Sequence, residues 1–138
     1  MKHLSVLLVL LALSLSGCGD TINGKAVAEP EVAGFREKMK MHDYEAIYAG
    51  AAAEFQSAAP KAKVLALFAA IDRKLGPLQQ STLANWNVNT FNNKTHAVLV
   101  YSSKFAEGEA TETFTYRVSD QRAALVGYNI SSLDMLIK

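Results

Sequence analysis

Apolar residues recur along this chain with two different periods, and the change from one to the other divides it. Between Glu31 and Met41 an imperfect stripe of Val32, Phe35, Met39 and Met41 predicts a short helix. Asp43 then stands where an N-cap is expected, with Glu45 in the first turn at the positive end of the helix dipole. Behind it Tyr44, Ile47, Tyr48, Ala51 and Phe55 form one apolar face, predicting a second helix. A third is expected from Pro60, with Val64, Leu67, Phe68, Ile71 and Leu75 on its face. Arg73 and Lys74 sit at its negative end, and Gly76-Pro77 terminates it.

From Leu78 the period becomes that of a strand. Asn85 to Thr90 alternates strictly, with Trp86 and Val88 on one face and three asparagines on the other. Asn92-Asn93 predicts a tight turn, and Thr95 to Phe105 is apolar on both faces, as a central strand would be. Glu107-Gly108 marks the next turn. Thr111, Thr113, Thr115 and Arg117 then alternate with Glu112, Phe114, Tyr116 and Val118. After Asp120-Gln121, Ala124, Val126, Tyr128 and Ile130 are expected on one face of a last strand. Connections this short make neighbouring strands antiparallel. The expected fold is α+β, with N-terminal helices packed on one face of a four-stranded antiparallel meander.

Ahead of this domain lies a segment of another kind. Met1-Lys2-His3 leads into an apolar run from Leu4 to Leu15, then Ser16, Gly17 and Cys18. Twelve helical residues reach about 18 Å, well short of a hydrocarbon core of about 30 Å, so the run is read as an export signal rather than a membrane span. The end Leu15-Ser16-Gly17-Cys18 resembles the lipobox of bacterial lipoproteins. That resemblance implies cleavage after Gly17, a diacylglycerol on the Cys18 thiol and acylation, such as palmitate, of the new amine. Because Gly19 rather than Asp follows the cysteine, it also implies the periplasmic leaflet of the outer membrane rather than the inner membrane. The boundaries expected are residues 1–17 as signal, 18–30 as lipidated cysteine and flexible tether closed by Pro30, and 31–138 as one domain.

Composition narrows the partners. The 138 residues carry 14 Lys and Arg against 13 Asp and Glu, and removing residues 1–17 takes one lysine, leaving a formally neutral chain. Balanced charge without a basic run argues against nucleic acid as partner. The single cysteine, once lipidated, leaves no disulfide or thiolate chemistry. The membrane partner is expected through the lipid on Cys18 alone.

The order of elements, with Trp and Tyr on a sheet cupped around helices, resembles the cystatin-like and NTF2-like superfamily. Within it the chain looks most like small bacterial envelope domains in which a helix ending Leu-Gly precedes strands carrying aromatic-Arg-Val and Gly-Tyr. Here these are Leu75-Gly76, Tyr116-Arg117-Val118 and Gly127-Tyr128. The resemblance implies a cone whose interior need not close completely. Tyr44, Tyr48, Phe55, Trp86, Tyr101, Phe114, Tyr116 and Tyr128 are candidates to line such a pocket, against the plainer expectation that they fill a core. Candidate bases are few. His42 and His96 are expected on exposed positions, no cofactor or metal-ligand spacing is present, and Glu112 is the one carboxylate patterned inward. Enzymes of this superfamily use Asp, His or Tyr inside the cone. The expected function is a non-catalytic module binding a small apolar ligand or an envelope protein, with an assembly subunit as the alternative and an enzyme behind both.

Overall fold

The computed structural model describes residues 19–138, with side chains described from Asn23 onward. The signal segment and Cys18 lie outside the described residues. Five helices and four strands follow in order: α1 (Gly19–Lys40), α2 (Tyr44–Gly50), α3 (Ala53–Ala58), α4 (Lys61–Leu75), β1 (Leu78–Phe91), β2 (Lys94–Phe105), β3 (Gly108–Ser119), β4 (Arg122–Ser131) and α5 (Leu133–Ile137). The fold is α+β. The four strands form one open antiparallel sheet in the order β1-β2-β3-β4.

The largest departure from expectation is α1. The segment expected to be a tether is helical from Gly19 and carries Pro30 in its interior. Ala28, Val32 and Phe35 fall at i, i+4 and i+7, and all three are buried in the core. Proline removes one backbone bond and strains the preceding turn, at about 3 kcal/mol in a helix interior. Burying this apolar stripe offsets that cost, and Pro30 itself faces solvent. Asn-Gly and Pro read as turn signals because local propensity says nothing of the sheet waiting to be covered. Gly24 permits the approach: a Cβ there would lie 2.9 Å from Val88 Cγ1.

Contacts along α1 fix its direction. Gly24 meets Val88, Lys25 lies over Trp86, and Arg36 reaches Ser81, so the helix runs antiparallel to β1 across the sheet. Phe35 lands in the middle, edge-on to Phe68 and Phe114 and 4.9 Å from Tyr128. These rings, with Ile71, Leu75 and Leu99, are the centre of the core.

The second expected helix is two. Asp43 caps α2 as expected, accepting from Ala46 N at 3.1 Å. The chain then extends at Ala51 and Ala52 before α3 begins. Gln56 donates to the carbonyl of Tyr48, and Ala52 N–H donates to Leu125 O on β4, so the groups freed by the break are paired. In α4, Val64, Phe68, Ile71 and Leu75 face inward as expected, while Leu67 is exposed. Gly76 ends α4 at φ +70, a conformation that suits glycine.

In the sheet, Asn92 and Asn93 both take positive φ, the geometry of the tight hairpin expected there. The β2–β3 turn falls at Ala106-Glu107, one residue earlier than its sequence signal. Bulges explain where alternation misleads. Irregularities between Leu78 and Gln80 and between Leu83 and Asn85 hide the first half of β1 from a period-two pattern. A third, opposite Thr115 and Tyr116, leaves Val126 unpaired. Leu125 therefore opposes Tyr116 and is buried, so Ala123 and Leu125, not Ala124 and Val126, share the inner face with Tyr128 and Ile130.

Candidate functional site

Most of the aromatic candidates fill the core rather than a pocket. Phe114 is fully buried, Phe55 and Tyr116 nearly so, and Tyr128 packs among Phe35, Phe68 and Phe114. Tyr48 and Phe55 pack together, with the Tyr48 hydroxyl donating to Gln56 O. Trp86 lies beneath Lys25 and is partly exposed. Tyr116 borders a small void of about 60 Å³. Of the eight, Tyr101 alone borders the larger cavity. The reason is α1, whose Phe35 fills the centre of the space between helices and sheet and leaves the open space to one side.

That space is a cavity of about 820 Å³ between the C-terminal half of α1, the end of α4 and the β1–β2 edge of the sheet. Its walls are mostly apolar, including Val32, Met39, Ile71, Leu78 and Phe105, with charged side chains such as Glu37 and Lys40 also bordering it. Its size lies within the range of cavities that accept small organic molecules.

A polar cluster meets this cavity through residues from α1 and every strand. Glu112, patterned inward on β3, is 3 % exposed. Its Oε2 accepts from Ser103 Oγ at 2.5 Å and from Arg36 Nη2 at 3.3 Å, and its Oε1 accepts from the Tyr128 hydroxyl at 2.9 Å. Arg36 Nη2 also donates to Ser81 Oγ at 2.6 Å, and Ser81 and Ser103 hydroxyls pair across β1 and β2 at 2.9 Å. The guanidinium stacks on Tyr101, 4.6 Å from the ring centroid. A buried carboxylate with three donors, one of them a cation, is well satisfied. Burial first, then the Glu112 charge and hydrogen bond, raises the Tyr128 hydroxyl well above its ordinary value. Burial likewise raises Tyr101 and Tyr116.

A second cluster stands at the mouth. His42, in a left-handed backbone conformation between α1 and α2, places Nδ1 2.9 Å from Asp72 Oδ2 on α4. The Tyr44 hydroxyl donates to the same oxygen. Burial and the Asp72 carboxylate together push the Tyr44 hydroxyl up to about 12. His42 and Asp72 both border the cavity, and the His42 side chain is otherwise exposed as expected. His96 sits on the opposite face of the sheet, across from Asn89 and Arg117. The Asn85, Asn87 and Asn89 row is exposed on that same face.

Arg36 and Asp72 were missed from sequence. Ser103 carried a signal, as a polar residue continuing the inward series Ala97, Leu99, Tyr101 on β2. Arg36 flanks the apolar stripe of α1, a position equally suited to a solvated cation. The Asp72–His42 pairing spans 30 residues and has no local signature. Among the described residues no group of three His, Cys, Asp or Glu is placed to hold a metal, and no helix is long and apolar enough to cross a membrane. No family model, curated protein or solved structure matches the chain.

Proposed function

We propose that this chain is an envelope lipoprotein, held to the periplasmic leaflet of the outer membrane through lipid on Cys18. Its domain is a non-catalytic module that binds a small amphipathic molecule in the cavity beside α1. The observation that carries this reading is the cavity itself, about 820 Å³ with mostly apolar walls and a hydrogen-bonded polar cluster on one side. That combination buries an apolar body while orienting it through one polar end. Because Gly19 is already helical, a lipid on Cys18 would hold the domain close to the headgroups, within short reach of membrane-derived ligands.

Native mass spectrometry on protein drawn gently from the envelope tests the reading. A small-molecule adduct is expected, and it should vanish in Ala33→Trp, which fills the cavity from α1. Protein without an adduct that also takes up no added amphiphile would refute it. A second reading, an assembly subunit, is favoured by Leu133, Leu136 and Ile137 on α5, which are 72–82 % exposed. Cross-linking in intact cells that recovers a specific complex, abolished by Leu136→Asp, would select it.

A further inference from the structure

We infer that the cavity selects a neutral ligand carrying an oxygen acceptor, such as a ketone, ester or amide with an alkyl chain, over its anionic or cationic counterparts. The inference rests on the cavity being a ligand site and names the chemistry that site takes.

The argument begins with the donors of Arg36. A guanidinium has five N–H groups in a fixed fork. Nη2 uses both of its own on Ser81 and Glu112. Nη1 has no hydrogen-bond partner among the described residues, and Nε is buried without one. The side chain keeps 22 % exposure and borders the cavity. Glu112, by contrast, has both oxygens occupied. The Arg36–Glu112 end of the cavity therefore offers donors and requires an acceptor.

Charge then separates acceptors. Arg36 is already offset by Glu112 at 3.3 Å. Lys40 is the other permanent cation on the lining, which also carries Glu29, Glu37 and Asp72. A carboxylate ligand would enter a site whose fixed charge is on balance negative, and would surrender its hydration to do so. An ammonium ligand would suit that balance at Glu29, Glu37 or Asp72 but brings donors to a donor at Arg36. A neutral carbonyl accepts from Nη1 without either conflict.

The test is competitive displacement of a fluorescent apolar probe by three ten-carbon ligands at pH 7: 2-decanone, decanoate and decylammonium. The ketone is expected to bind about tenfold or more tightly than either ion, in line with a hydrogen bond to a charged donor. The variant Arg36→Met with Glu112→Gln removes both buried charges together, so no orphaned ion threatens the fold. It should lose about tenfold for the ketone and so narrow its lead over the two ions, while circular dichroism confirms that it is folded. Equal or tighter binding of decanoate or decylammonium overturns the inference and leaves the cavity a ligand site. Unchanged ketone affinity in the double variant overturns the role of Arg36. Displacement by none of the three contradicts the ligand-site reading itself.

Discussion

Removing the positive member of the buried pair should cost more than removing both members. Arg36→Met strips Glu112 of its cation in a site where its side chain is 5 % exposed, with only the Ser103 and Tyr128 hydroxyls as donors. Breaking a buried pair in this way costs about 3–5 kcal/mol, because the remaining partner is left uncompensated. Glu112→Gln alone should cost less, about 1–3 kcal/mol, since the guanidinium can still turn its free N–H groups toward the cavity. The double variant carries no buried charge, and the amide still accepts from Ser103. It should therefore be at least as stable as Arg36→Met, with a coupling of about 1–3 kcal/mol. Urea unfolding followed by far-ultraviolet circular dichroism measures all four chains on one scale. At about 3–5 °C per kcal/mol, the single Arg36 variant should melt about 10–25 °C lower. Strictly additive losses would refute the reasoning, since two residues that form no unit would behave that way.

Alkali offers an independent readout. The Tyr44, Tyr101, Tyr116 and Tyr128 hydroxyls are all raised, chiefly by burial, whereas in the unfolded chain they ionise near pH 10. The stability they contribute is thus full below about pH 10 and falls as pH climbs from there through the folded values. Absorbance at 295 nm should show most tyrosines ionising only as the fold is lost; ionisation of all five near pH 10 with the circular dichroism unchanged would contradict it. Gly24→Leu should push α1 away from Val88, lowering stability by about 1–3 kcal/mol and amide protection around residues 23–28. No change would mean that this part of α1 is not docked. Phe35→Ala should cost about 3–5 kcal/mol, a loss under 1 kcal/mol in the same melts being inconsistent with a ring at the centre of the core. Asn93→Gly should be neutral or stabilise by up to about 1 kcal/mol, while Asn93→Val destabilises, because φ is +59 there.

Much of the fold was legible because its signals are local. The Asp43 cap, the Gly76-Pro77 stop, the Asn92-Asn93 hairpin and the alternation of β3 each follow from a few adjacent residues. The failures share a different cause. Pro30 marks a break in any isolated peptide, and only the apolar sheet face that Ala28, Val32 and Phe35 cover makes a helix worth its strain. The bulge at Val126 shifts Leu125 inward through its partner strand, which no reading of β4 alone can supply. Glu112 stood out as an inward carboxylate, yet the cation that holds it comes from 76 residues earlier, on the helix that the turn signals concealed. The site was therefore half visible: its buried acid on β3 could be located, but not its partner or the cavity that α1 creates by filling the centre.

The most direct measurement is methyl NMR on the folded protein titrated with 2-decanone. Binding in the cavity predicts saturable shifts at Val32, Met39, Ile71 and Leu78, with the methyls of Leu133, Leu136 and Ile137 unmoved. Shifts confined to that exposed C-terminal helix, or none at all, would contradict the account.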